Sequence, residues 1–128
     1  MRWLPPALCA CLLVFPGCGK DDAPPTRSVT LGPGEPVRVS AEEYAFDPSR
    51  ITIRPGRRPL RVVLDNRGDL AHDIKVLDGE RELGGLPSFP GGEKRSTTVA
   101  VPPGSYRLVC TVADHEELGM DGELEVIR

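Results

Sequence analysis

Histidine is scarce in this sequence: His72 and His115 are the only two in 128 residues, beside four cysteines and two methionines. Catalytic centres that need a further set of imidazoles are thereby excluded. Heptads and low-complexity repeats are absent, so no coiled coil or repeat array is expected. Basic residues do not outnumber acidic ones; the formal net charge is −3 and the pI about 5.4. That balance lacks the broad basic face a nucleic acid requires. Nor does any Ser, His and Asp set, phosphate-binding loop or carboxylate dyad stand out.

The one strong apolar run is too short to span a bilayer as a mature helix. It lies at the start, where Met1-Arg2-Trp3 is followed by apolar residues up to Phe15-Pro16-Gly17-Cys18. A basic residue, an apolar run and a small residue make a secretory signal, expected over 1–18. Cys18 after Gly17 is the expected acceptor of a lipoprotein anchor, although Phe15 and Pro16 depart from the usual residues there. Pro5, Pro6 and Pro16 argue against the rival reading, a buried N-terminal helix. Residues 19–36 have the Pro, Gly and charge content of a flexible linker, which would let the domain move away from a membrane.

From Val37 to Arg128 short alternating runs are punctuated by turn residues, which predicts an all-β domain, a Greek-key β-sandwich of about seven to eight strands. Val37, Val39 and Ala41 alternate with Arg38, Ser40 and Glu42, and Tyr44 and Phe46 extend the apolar side. Ile51 and Ile53 lead to a turn at Pro55-Gly56, and Leu60, Val62 and Leu64 to a stop at Asn66-Arg67-Gly68. His72, Ile74 and Val76 then share one face, opposite Asp73, Lys75 and Leu77. Residues 80–92 are predicted as a Gly- and Pro-rich loop; Leu83, Leu86 and Phe89 within it either form an apolar docking patch or cap the core. Thr97, Val99 and Val101 precede the turn at Pro102-Pro103-Gly104, and Tyr106, Leu108 and Cys110 follow it.

Parity brings the chemistry together. Successive strand residues face opposite ways, so Cys110 points inward with Tyr106 and Leu108, and His72 with Ile74 and Val76. After Cys110 comes a short acidic loop with His115 and Met120, then a closing strand from Asp121. A thiolate, two imidazoles and a thioether thus fall at one pole, the donor set of a trigonal Cys and two His site with a weak axial Met that holds copper. The rival reading takes Cys110 as core filler, His72 as a satisfied core imidazole and Met120 as a gap-filler. Against it, an exported domain with one leftover thiol is unusual, and four such coincidences at one pole are far less common than any one.

With these residues in hand, 37–128 resembles a cupredoxin. The family's pattern of one histidine, then Cys, His and Met around the final loop, falls on His72, Cys110, His115 and Met120. The two four-residue gaps between Cys110, His115 and Met120 are similar to those of small membrane-anchored bacterial cupredoxins. Tyr44-Ala-Phe46-Asp-Pro48 and Ile51-Thr-Ile53-Arg-Pro55-Gly56 resemble the family too. The resemblance implies a mononuclear type 1 blue copper, with His115 presenting a ring edge at the surface while His72 and Cys110 stay covered. It also implies that the residue after the first histidine, commonly Asn and here Asp73, bonds the sulfur through its backbone amide and ties the two ligand loops through its side chain. The departure leaves the second role open.

The expected function is electron transport by an exported protein on the periplasmic or cell-surface side, and not an enzyme. The expected partner is a redox protein such as a c-type cytochrome or an oxidase domain. The membrane is reached through the lipid anchor, and a monomer is expected. Asp114, Glu116, Glu117, Asp121 and Glu123 form either a solvated loop or an acidic collar that steers a basic partner. The alternative function is a copper carrier or chaperone that supplies an exported oxidase. Such carriers expose Met- and His-rich clusters, whereas here one site consumes the whole set. A nitrite reductase or multicopper oxidase needs more histidines, and a dinuclear copper centre needs a second cysteine.

Overall fold

Wherever apolar and polar residues alternate, the chain extends, buries the apolar set and leaves the other in water. The computed structural model describes residues 26–54 and 59–128. Among the described residues there are ten strands and no helix. In chain order they are β1 (Ser28–Leu31), β2 (Val37–Glu42), β3 (Ala45–Asp47), β4 (Arg50–Ile53), β5 (Leu60–Asn66), β6 (His72–Asp78), β7 (Arg81–Phe89), β8 (Lys94–Val99), β9 (Gly104–Val109) and β10 (Asp121–Val126).

Two sheets pack face to face. One has the order β1-β4-β10-β9-β6-β7, the other β3-β2-β5-β8. The β1–β4, β4–β10 and β2–β5 pairs are parallel and the rest antiparallel. In β2 every second residue is buried, and β10 repeats the pattern with Gly122, Leu124 and Val126 inward. Leu64, Ile74, Leu108 and Leu124 meet between the sheets with almost no exposure. Each such side chain contributes about 1.5–3 kcal/mol of transfer free energy. The expected sandwich forms, with ten strands in place of seven or eight.

Two differences from the expected boundaries have physical causes. Residues 28–31, placed in the linker, form β1, because Val29 and Leu31 pack on the core beside β4. The expected 80–92 loop is largely strand: β7 pairs along β6 to close one edge of the larger sheet. Its turn-like residues serve the pairing. A Cβ on Gly85 would lie 2.1 Å from the Ile74 carbonyl oxygen, so glycine permits the close approach, and Pro87 is tolerated on an edge strand. Leu86 and Phe89 are buried core residues, with Leu83 packed against them, which leaves no docking patch there. The expected signal at 1–18 with Cys18, the start of the linker and the Pro55-Gly56 turn lie outside the described residues.

Candidate metal centre

β6 and β9 are antiparallel neighbours in the larger sheet, and that adjacency builds the site. His72 is the first residue of β6, and Cys110 directly follows β9. Each continues the inward row of its strand: Ile74 and Val76 after His72, Leu108 before Cys110, all buried. The chain from Cys110 then folds into a tight loop that returns to β10. Cys110 N–H donates to the Met120 carbonyl at 3.1 Å, closing the base of the loop, and Met120 N–H donates to the His115 carbonyl at 3.0 Å across it. His115 N–H donates to Val112 O, and Leu118 N–H to Asp114 O. Gly119 takes φ +119° under the turn after β2, where a Cβ would meet the Tyr44 carbonyl at 3.2 Å.

The loop carries the His115 ring back over Cys110. Cys110 Sγ lies 3.9 Å from His72 Nδ1 and 3.7 Å from His115 Nδ1, and the two Nδ1 atoms are 3.1 Å apart. These three donor atoms lie within 4.8 Å of one another and all three residues are buried. His72 and Cys110 have 0% exposure, whereas His115 keeps 6%. Met120 is fully buried, tied through its backbone to both Cys110 and His115.

Neighbouring groups hold this set. Asp73 accepts a hydrogen bond from Thr111 N–H on Oδ1 at 2.7 Å and from Thr111 Oγ1 on Oδ2 at 2.6 Å. A carboxylate therefore joins the segment bearing His72 to the one bearing Cys110, the tie that the Asn-to-Asp departure had left open. Burial pushes the Cys110 thiol above its ordinary range; the backbone amides of Asp73 and Val112, bonded to the sulfur, oppose this, and the Asp73 carboxylate adds to it.

The outer nitrogen of His72, Nε2, meets Glu43 Oε1 at 3.0 Å, and Tyr44 sets its ring edge-on to His115 with centroids 5.0 Å apart. The Glu43 carboxyl is held down to about 2, first by the Leu70 backbone N–H and then by the His72 ring and other amides, against desolvation. Asn66, fully buried at the end of β5, donates from Nδ2 to the Leu70 and Phe89 carbonyls at 3.0 Å each and accepts Gly68 N–H at 3.1 Å. It thereby fixes the turn that leads into His72. Glu43 and Tyr44 were not legible as site residues, since each reaches the centre from a distant stretch; Asn66 acts through the turn ahead of His72, where the stop at Asn66-Arg67-Gly68 was the local signal.

Two imidazole Nδ1 atoms and one sulfur, converging without a buried cation among them, suit a borderline-soft transition-metal ion. No protein-family profile matches the chain, and no characterised protein matches it by sequence. Solved structures do match its fold. Dithionite-reduced auracyanin from Roseiflexus castenholzii superposes with TM-score 0.68 at 18% identity, over 75% of this chain and 99% of that one. Auracyanin A of Chloroflexus aurantiacus, described as a "blue" copper protein, gives 0.59 at 20% identity, over 78% and 99%. A copper-containing nitrite reductase from Thermus scotoductus gives 0.53 at 23% identity, over 73% of this chain but only 23% of that one. The fold is that of the cupredoxins.

Proposed function

We propose that this chain is an exported electron-transfer protein whose His72 Nδ1, Cys110 Sγ and His115 Nδ1 hold one type 1 copper, with Met120 as the weak axial ligand. The observation that carries the reading is the gathering of those three buried donor atoms within 4.8 Å. Copper, when bound there, supplies a one-electron couple, since thiolate and thioether suit Cu(I) and imidazole suits Cu(II). The protein's part is to keep the donors still. β6 and β9 fix His72 and Cys110, Asp73 binds one segment to the other, and two backbone amides on the sulfur stabilise its thiolate form. His115 is the donor residue with an edge in solvent, and it is the proposed route for the electron.

A redox protein is the proposed partner, a c-type cytochrome or an oxidase domain. Beside His115 the loop exposes Asp114, Glu117 and Leu118, and Leu70 is exposed just before His72. The acidic collar is narrower than its composition suggests, because Glu116 pairs with Arg107 and Glu123 with Arg50. Export, and a lipid on Cys18 that holds the domain to a bacterial membrane, belong to the same proposal. The nitrite reductase shows that this fold also occurs within an enzyme, but both histidines of this chain already lie in one cluster.

Voltammetry of the copper-loaded domain, with chelator challenge, tests the function. A reversible one-electron wave with slow copper loss is expected. Rapid transfer of copper to the chelator without a reversible wave would favour a carrier instead.

A further inference from the structure

We propose that Glu43 is a positioning residue of the metal centre: its carboxylate locks the His72 ring with the proton on Nε2, so that the Nδ1 lone pair faces Cys110 and His115. The inference rests on the copper reading above and adds a residue to it. A carboxylate accepts hydrogen bonds and donates none, so a ring nitrogen 3.0 Å from it must carry the proton. The other nitrogen is then free to bind a metal. The same oxygen, Oε1, also accepts the Leu70 backbone N–H at 2.8 Å, which anchors the turn just ahead of His72.

Three further observations favour a built contact. Glu43 follows β2 in the smaller sheet and His72 opens β6 in the larger, so the bond ties the ring to the opposite layer. Room is kept for the carboxylate by Gly68, where a Cβ would stand 2.2 Å from Oε1. The next residue, Tyr44, lies edge-on to His115, so one turn touches both imidazoles. Partners of this kind fix tautomer and ring orientation, and their loss weakens metal binding by about 10- to 100-fold.

The tautomer can be read directly from long-range proton–nitrogen NMR correlations of His72 in the copper-free wild-type protein. The proton is expected on Nε2, exchanging slowly; a proton on Nδ1 overturns the proposal without any variant. This measurement tests the clamp by itself, whereas copper uptake by the wild-type chain tests the copper reading. With Cu(I), Glu43→Ala is expected to bind about 10- to 100-fold more weakly than wild type. Glu43→Gln keeps an acceptor oxygen, so it should bind Cu(I) nearly as wild type does. Losing the charge should weaken Cu(II) alone by roughly tenfold, raising the potential by about 59 mV. Equal Cu(I) affinity for Ala and wild type, or a Gln variant as weak as Ala, would overturn it.

Discussion

Replacing Asp73 with Ala removes a side chain that joins the segment bearing His72 to the one bearing Cys110, and the cost can be worked from its contacts. Two hydrogen bonds go, from Thr111 N–H and from Thr111 Oγ1, at 2.7 and 2.6 Å. Bonds to a charged acceptor contribute about 1.5–3 kcal/mol each, and two on one residue do not add fully. A loss of about 2–4 kcal/mol follows for the copper-free domain. At roughly 5 °C per kcal/mol for a domain of about 100 residues, the midpoint falls by about 10–20 °C. Asp73→Asn is the informative comparison. Its amide oxygen can take the Thr111 N–H and its NH₂ can donate to the Thr111 hydroxyl, so both contacts survive without the charge. Its cost should stay under about 1 kcal/mol, or roughly 5 °C. Thermal melts of the three copper-free proteins, followed by circular dichroism, provide the test. An Ala variant that melts within a degree or two of wild type, or an Asn variant that melts with the Ala one, refutes the reasoning.

Copper uptake should depend on pH through Cys110, whose thiol burial raises. The metal needs the thiolate, so below the thiol's pKa binding releases a proton and apparent affinity climbs about tenfold per pH unit from neutrality upward; calorimetry in buffers of different ionisation enthalpy counts that proton. By the same sign, a folded state that disfavours the thiolate makes the copper-free domain lose stability as pH rises past the ordinary thiol value of 9.0, an effect absent from Cys110→Ser. Asn66→Ala should cost about 2–4 kcal/mol in chemical denaturation, since it leaves two carbonyls and an amide around a buried position without their partner.

Much of the sandwich was legible because strand parity is a local signal. The alternation in β2 and β10 and the inward row His72, Ile74, Val76 need no knowledge of the partner strand. Local signals misled where glycine and proline served a long-range purpose. Gly84, Gly85 and Pro87 read as loop, yet Gly85 is there for the backbone of β6 and Pro87 sits on an edge strand. Val29 and Leu31 were hidden by flanking Pro and Gly, and their strand exists only because β4 lies alongside. At the centre, the inward donors followed from parity and from the short loop after Cys110. The groups that orient them did not: Glu43 meets His72 across 29 residues of sequence, and whether Asp73 could replace an amide depended on finding Thr111 opposite.

The central claim is tested most directly by titrating Cu(II) into the purified domain while recording the visible spectrum, with Cys110→Ser alongside. One equivalent should produce an intense sulfur-to-copper absorption in the wild-type protein and none in the serine variant. Zinc would occupy the same donors without colour, so absorption is a stronger readout than binding. Uptake without that absorption, or a colour that survives loss of the sulfur, would contradict the account.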